Sequence, residues 1–144
     1  MDSIIRTRLD IIEVIKLLEK FDNMFTPSLS TNLDLKKFNI KLSEHAEFVL
    51  SKEGEDTIGF IAYYNNKEQH QYYITLLCVS KSSRTKGIAS KMLHFLEDNR
   101  CRNIDSISLE VKKENYSALK FYLKHNFAIK EDRNEKFLME KKLY

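Results

Sequence analysis

This chain is poor in cysteine, proline, glycine and net charge, and these shortages narrow what it can be. Its two cysteines, Cys78 and Cys101, show neither CxxC spacing nor a histidine partner nearby, the pattern of reduced thiols in a cytosolic protein. The four histidines, His45, His70, His94 and His125, form no HxxxH or Cys/His cluster, so no metal site is expected. Lysine and arginine number 24 against 21 acidic residues, a net charge of +3. That excess suits an anionic ligand but is too slight for wrapping nucleic acid. No apolar run approaches membrane-spanning length, and the opening MDSIIRTRLD lacks an apolar signal core, so neither a membrane partner nor export is expected. The one proline, Pro27, falls in a hydroxyl- and asparagine-rich stretch, Phe21 to Leu33, that reads as a loop.

What is present suffices for a core. Hydrophobic residues make up 42% and aromatics 11% of the 144 residues, the profile of one globular domain spanning 1–144. Ser3 to Arg8 reads as a short strand. Asp10 to Lys20 sets Ile11, Ile12, Val14, Ile15, Leu17 and Leu18 at helical spacing behind Asp10 as N-cap. A second short helix is read around Leu35 to Ile40. Strands follow at Ala46 to Leu50, Thr57 to Tyr64 and His70 to Val79, then a helix from about Lys86 to Asn99. The remainder reads as strand Ser106 to Val111, helix Asn115 to His125, and strands Phe127 to Glu131 and Lys136 to Leu143. No linker or repeat interrupts it. Antiparallel strands followed by a β-α-β-α-β series predict an α/β (α+β) fold: a mixed central sheet of about six or seven strands with helices on its faces.

One stretch, Ile74 to Ala89, combines an apolar strand, a polar turn from Ser80 to Lys86, and a helix marked by Ile88, Ala89, Met92, Leu93 and Leu96. Unpaired backbone N–H groups and the helix dipole make such a helix start an anion site. Gly87 would let a ligand oxygen approach the backbone, and Lys81, Arg84 and Lys86 surround it with positive charge. The ligand expected from these features is a diphosphate. The turn lacks the spacing and order of a nucleotide P-loop. A charged loop residue is also commonly just solvated, which applies to Lys81 and Lys86 individually.

A second polar constellation lies downstream. Glu110 alternates with Leu109 and Val111, so it faces away from them. Asn115 sits where a helix N-cap belongs, and Tyr122 lies two turns on, near the same face. The alternatives are plain: Glu110 as a solvated strand carboxylate, Tyr122 as a core aromatic, Asn115 as a cap alone. Cys78 has no histidine partner and reads as a buried strand thiol.

These two stretches resemble the GNAT superfamily of acetyl-CoA-dependent N-acetyltransferases. Arg84-Thr85-Lys86-Gly87-Ile88-Ala89 after Val79 is similar to that family's Q/R-x-x-G-x-G/A turn. Asn115, Ala118, Phe121, Tyr122 and Phe127 fit its downstream N-x-x-A-x-x-[FL]-Y-x-x-x-G-F pattern, with Asn126 where glycine is usual. Asparagine tolerates the left-handed conformation needed there. The spacing of Glu110, Asn115 and Tyr122 looks especially like bacterial enzymes that acetylate the N-terminal alanine of a ribosomal protein.

The resemblance implies an acyl-CoA N-acyltransferase fold and acetyl-CoA as co-substrate, with no metal. It implies that the backbone of Leu77, Cys78 and Val79 pairs with pantetheine and contacts the oxyanion. Arg84, Thr85, Lys86, Gly87, Ile88 and Ala89 would take the diphosphate, with Asn115 on the pantetheine arm and Tyr122 also at the cofactor. For catalysis it implies Glu110 as base, directly or through water, and Tyr122 as the acid that protonates the leaving thiolate. The acceptor would be a primary amine, small molecule or protein, selected by Phe21 to His45 and Gln69 to Tyr73. Met24, Phe25, Phe38 and the tyrosines would line its pocket or close the core, core being favoured for most. A homodimer is left open. Two function classes follow: a cytoplasmic acetyltransferase, or a non-catalytic acetyl-CoA-binding or interaction module with the same fold.

Overall fold

A computed structural model of the protein describes residues 2–25, 29 and 34–144. Pro27 and most of the predicted Phe21 to Leu33 loop lie outside the described residues. In chain order the elements are β1 (Asp2–Thr7), α1 (Ile11–Phe21), α2 (Leu35–His45), β2 (Ala46–Glu53), β3 (Asp56–Asn66), β4 (Gln71–Val79), α3 (Ile88–Asp98), β5 (Ser106–Lys112), α4 (Tyr116–Lys124), β6 (Ala128–Arg133) and β7 (Lys136–Lys142). The strands form one mixed seven-stranded sheet in the order β1-β2-β3-β4-β5-β7-β6. Pairing is parallel for β4–β5 and antiparallel for β1–β2, β5–β7 and β6–β7. Among the described residues no helix is long and apolar enough to cross a membrane.

The chain divides into two compact units, Met1–Tyr63 with Leu76–Asn99 and Tyr64–Thr75 with Arg100–Tyr144. In the first, α1 starts on a capping box: Glu13 N–H donates to Asp10 Oδ1 at 2.8 Å and Asp10 N–H to Glu13 Oε1 at 3.0 Å. Its inward face buries Val14, Leu17, Leu18 and Phe21. Phe21 is therefore the last helical residue rather than the first of a loop, and its ring meets Phe60 edge-on at 5.2 Å. Helix α2 runs to His45, past the predicted end at Ile40. Its apolar content is too sparse to show the length, and packing on α1 and β2 supplies the support that propensity does not. Helix α3 buries Ile88, Met92, Leu93 and Leu96, as their spacing predicts.

At Gly59 the backbone of β3 lies close to the end of β4 and to side chains of α3. A Cβ there would stand 3.2 Å from Cys78 O and Met92 Cε and 3.3 Å from Ile88 Cγ2. A side chain would push on the end of β4 and the first turn of α3 together.

In the second unit the alternation on β5 is realised. Leu109 and Val111 are buried while Glu110 is half-buried on the opposite side. Helix α4 ends as its asparagine predicts. Asn126 takes φ +71°, its N–H donates to Leu123 O at 3.1 Å, and Phe127 N–H donates to Tyr122 O at 3.0 Å. This pair of hydrogen bonds to the last turn usually brings an apolar contact between the two residues joined by the outer bond. Here that contact is the Tyr122–Phe127 ring pair at 5.4 Å.

Candidate active site

In the first unit, Ser80 N–H donates to Ile58 O at 2.8 Å, which holds the end of β4 to β3. The polar turn is not an open loop but a 3-10 helix, Lys81–Lys86. The run carries its own short-range bonding, with Ser83 N–H on Ser80 O at 2.9 Å and Ser83 buried. Gly87 follows at φ +71° and ψ 24°, and among the described residues no side chain caps the start of α3. The left-handed turn costs an L-residue about 1–2 kcal/mol, which accounts for glycine by conformation. Among the described residues, its chain neighbours aside, nothing lies within 4 Å of where its Cβ would be. The described residues thus leave the approach to the first N–H groups of α3 open at that point.

The charged residues divide. Arg84 Nε donates to Val79 O at 3.2 Å, so this side chain ties the turn to the strand end. Lys86 Nζ lies 3.9 Å from Glu53 Oε2 with both side chains more than half exposed, a pair worth little in water. Lys81 and Thr85 are exposed, whereas Ile88 turns its side chain into the core and offers only backbone outward. The parallel ladder of β4 with β5 covers Gln71 to Ile74 and goes no further. The β4 segment that includes Leu77, Cys78 and Val79 lies beyond it.

The Cys78 thiol is buried, and burial pushes its pKa up to about 11 although the charge of Arg84 and a backbone hydrogen bond pull it down. At pH 8 only about one thiol in a thousand would then be thiolate, the reactive form. Iodoacetamide at pH 8 is expected to label Cys101, which is exposed, and to spare Cys78 until urea is added. Equal native labelling of both, read by peptide mass spectrometry, would contradict the buried-thiol reading.

In the second unit, Glu110 is engaged at both oxygens. Tyr73 O–H donates to Oε1 at 3.3 Å and Arg133 Nη1 to Oε2 at 3.2 Å. Burial, then the Glu110 charge and their hydrogen bond, push the Tyr73 phenol up to about 12, against a smaller opposing effect from Arg133. Tyr73 is therefore a protonated donor across neutral pH. Residue by residue the sequence placed Tyr73 only within an acceptor-selecting stretch, and it did not single out Arg133. Tyr122 is buried, with Phe121 at 5.3 Å and Phe127 at 5.4 Å against its ring. Burial raises its pKa, and its hydroxyl makes no hydrogen bond among the described residues. Asn115 caps α4, its Oδ1 accepting from Ala118 N–H at 3.3 Å. That bond uses one acceptor site of the amide and leaves the NH₂ group to other partners. Among the described residues no group of three His, Cys, Asp or Glu is placed to hold a metal ion.

A seven-stranded mixed sheet with a glycine turn opening onto an uncapped helix start defines the acyl-CoA N-acyltransferase fold. The Acetyltransferase (GNAT) family profile matches residues 14–127, and the chain belongs to that family. It is 39% identical over 69 residues to the GCN5-related N-acetyltransferase 6, chloroplastic, of Arabidopsis thaliana, a match covering 46% of this chain and 24% of that longer protein. Solved structures that share the fold include the following two. The PaiA N-acetyltransferase from Thermoplasma acidophilum in complex with coenzyme A has a TM-score of 0.76 at 20% identity, covering 97% of this chain and 99% of the other. The ribosomal-protein-S18-alanine N-acetyltransferase from Escherichia coli also has a TM-score of 0.76, at 15% identity, covering 99% and 94%.

Proposed function

We propose that residues 1–144 act as one N-acetyltransferase domain that moves an acetyl group from acetyl-CoA to a primary amine by direct attack. The observation that carries the reading is Glu110: a half-buried carboxylate, held by a protonated phenol, on a strand whose other face is core. An ammonium has no lone pair, so a base must take its proton before attack. Glu110 is that base, directly or through water. Tyr122, kept protonated by burial, donates to the sulfur as the thiolate leaves.

The turn fits the co-substrate's diphosphate. The uncapped start of α3 offers N–H groups through Ala89, Gly87 leaves the approach free, and Arg84 and Lys86 add charge. Acetyl-CoA, when bound, supplies the activated thioester. The backbone of Leu77, Cys78 and Val79, lying beyond the β4–β5 ladder, is the segment for the pantetheine arm and the carbonyl oxygen. The NH₂ of Asn115 adds a donor to that arm. Both thiols are free, which suits a reducing, cytoplasmic compartment.

A second reading, a non-catalytic acetyl-CoA-binding module, draws on the ion pair that occupies Glu110. CoA release measured with a peptide N-terminus, free lysine, a polyamine, an amino sugar and an aminoglycoside separates the two. At least one class should accelerate release above background hydrolysis. Saturable acetyl-CoA binding with no acceleration by any of them would favour the module.

A further inference from the structure

Strand β6 carries one residue too many for its partner. Ala128 pairs with Glu140 and Ile129 with Met139, but the next partner, Leu138, is met by Glu131, so Lys130 is extra. On β7, Leu138 and Lys136 lie opposite Glu110 and Lys112 of β5, whereas Met139 packs in the core. In an unbroken strand Lys130 and Asp132 would share the face of Leu138 and Lys136, because side chains alternate strictly. The extra residue leaves Lys130 on that face, its Nζ on Glu140 Oε2 at 2.9 Å, and brings Glu131 and Arg133 onto it in place of Asp132, which is how a bulge re-aims side chains.

Both re-aimed residues are used. Arg133 Nε and Nη2 donate to Glu131 Oε1 and Oε2 at 3.2 and 3.3 Å, a two-pronged grip. Its remaining arm, Nη1, donates to Glu110 Oε2 at 3.2 Å. Glu131 therefore holds the guanidinium while Glu110 receives only one edge of it.

We propose that Arg133 is a displaceable counter-ion, and that the acceptor enters as its ammonium by taking Arg133's place on Glu110 Oε2. The inference rests on the reading of Glu110 as base. Three observations favour exchange over a permanent strut. The Arg133 and Glu110 side chains are 42% and 28% exposed, and an ion pair so open to water is weak. Glu131 keeps two bonds to Arg133, so releasing the third does not strand the guanidinium. Tyr73 holds Glu110 Oε1 independently, so the carboxylate keeps its aim when Oε2 changes partner. The incoming ammonium then gives one proton to Glu110 and becomes the neutral nucleophile. Its N–H groups, not charge alone, are what the site selects.

Nitrogen-15 NMR of the Arg133 Nε–H group tests this on the intact chain. Butylammonium chloride should shift that resonance saturably, and tetramethylammonium chloride at the same ionic strength should not, since it has no N–H. Glu110→Gln should abolish the response. No response, or equal responses to both salts, would overturn the proposal. On any amine that is turned over, Arg133→Gln should lower the acceptor KM by up to about fivefold, the size expected of an exposed ion pair, with kcat retained. Glu131→Gln should act oppositely, raising KM because Arg133 then falls back on Glu110. A drop in kcat at unchanged KM in Arg133→Gln would make this residue a fixed support of the base and overturn displacement. If no amine is acetylated, the NMR arm still reads the exchange, so failure of the enzyme reading and failure of this one are distinguishable.

Discussion

Tyr122→Phe is expected to lower turnover by about two to three orders of magnitude while leaving acetyl-CoA affinity and melting temperature nearly unchanged. The expectation follows from how the ring is held. Phe121 and Phe127 both pack edge-on against it, and these contacts belong to the ring rather than the hydroxyl. Phenylalanine keeps them. The hydroxyl has no protein partner among the described residues, so removing it strands no buried donor or acceptor. What is lost is the proton offered to sulfur. A thiolate of ordinary pKa about 8.5 is less basic than a phenol, so full transfer from Tyr122 runs uphill. Its aid is hydrogen-bond donation to charge that develops as the bond breaks. The checks are steady-state kinetics with a confirmed acceptor, acetyl-CoA titration calorimetry and thermal melting. Unchanged turnover would remove Tyr122 from the mechanism. Loss of turnover together with loss of stability would make it a packing residue only.

The second large effect belongs to Glu110→Gln. At neutral pH its kcat/KM should fall by about two orders of magnitude, the usual contribution of a positioned base. The amide still accepts from Tyr73 and loses mainly the Arg133 pair, which at these exposures contributes about 0–1 kcal/mol. Stability should therefore change little. The pH profile should change more. Without a base the variant depends on amine already deprotonated in solution, a fraction that rises about tenfold per pH unit below an amine pKa near 10. Its rate should climb more steeply with pH than that of the wild type, and the two should approach each other in alkali. Parallel profiles at equal rates would leave Glu110 a strand carboxylate with no catalytic part.

Much of this site could be read before any coordinates, for a local reason. Asp10 and Asn115 cap helices through bonds to N–H groups three residues on. Asn126 marks a left-handed stop through its own φ, and the α3 stripe declares itself by period alone. Gly87 belongs to the same class, since its turn needs a positive φ whatever surrounds it. Such rules act within one or two turns of chain, so neighbouring letters suffice to state them.

The partners of Glu110 were not legible in that way. Tyr73 is 37 residues distant and reaches it only because β4 pairs with β5 in one particular parallel register. Arg133 is 23 residues away and arrives through a one-residue bulge in β6 that no composition or motif announces. Gly59 looked like an ordinary strand residue until the end of β4 and the first turn of α3 were placed beside it. Phe21 passed for loop because the contact that holds it in α1, the Phe60 ring, comes from a distant strand.

The sequence alone thus determined most of the elements, the glycine turn and the identities of the residues proposed to do the chemistry. Strand register, and with it what stands against the proposed base, was decided by tertiary structure. Alternation in a strand has a period of two, so a single inserted residue exchanges the faces of everything after it. Only the packing of the whole sheet determines where that insertion is accommodated.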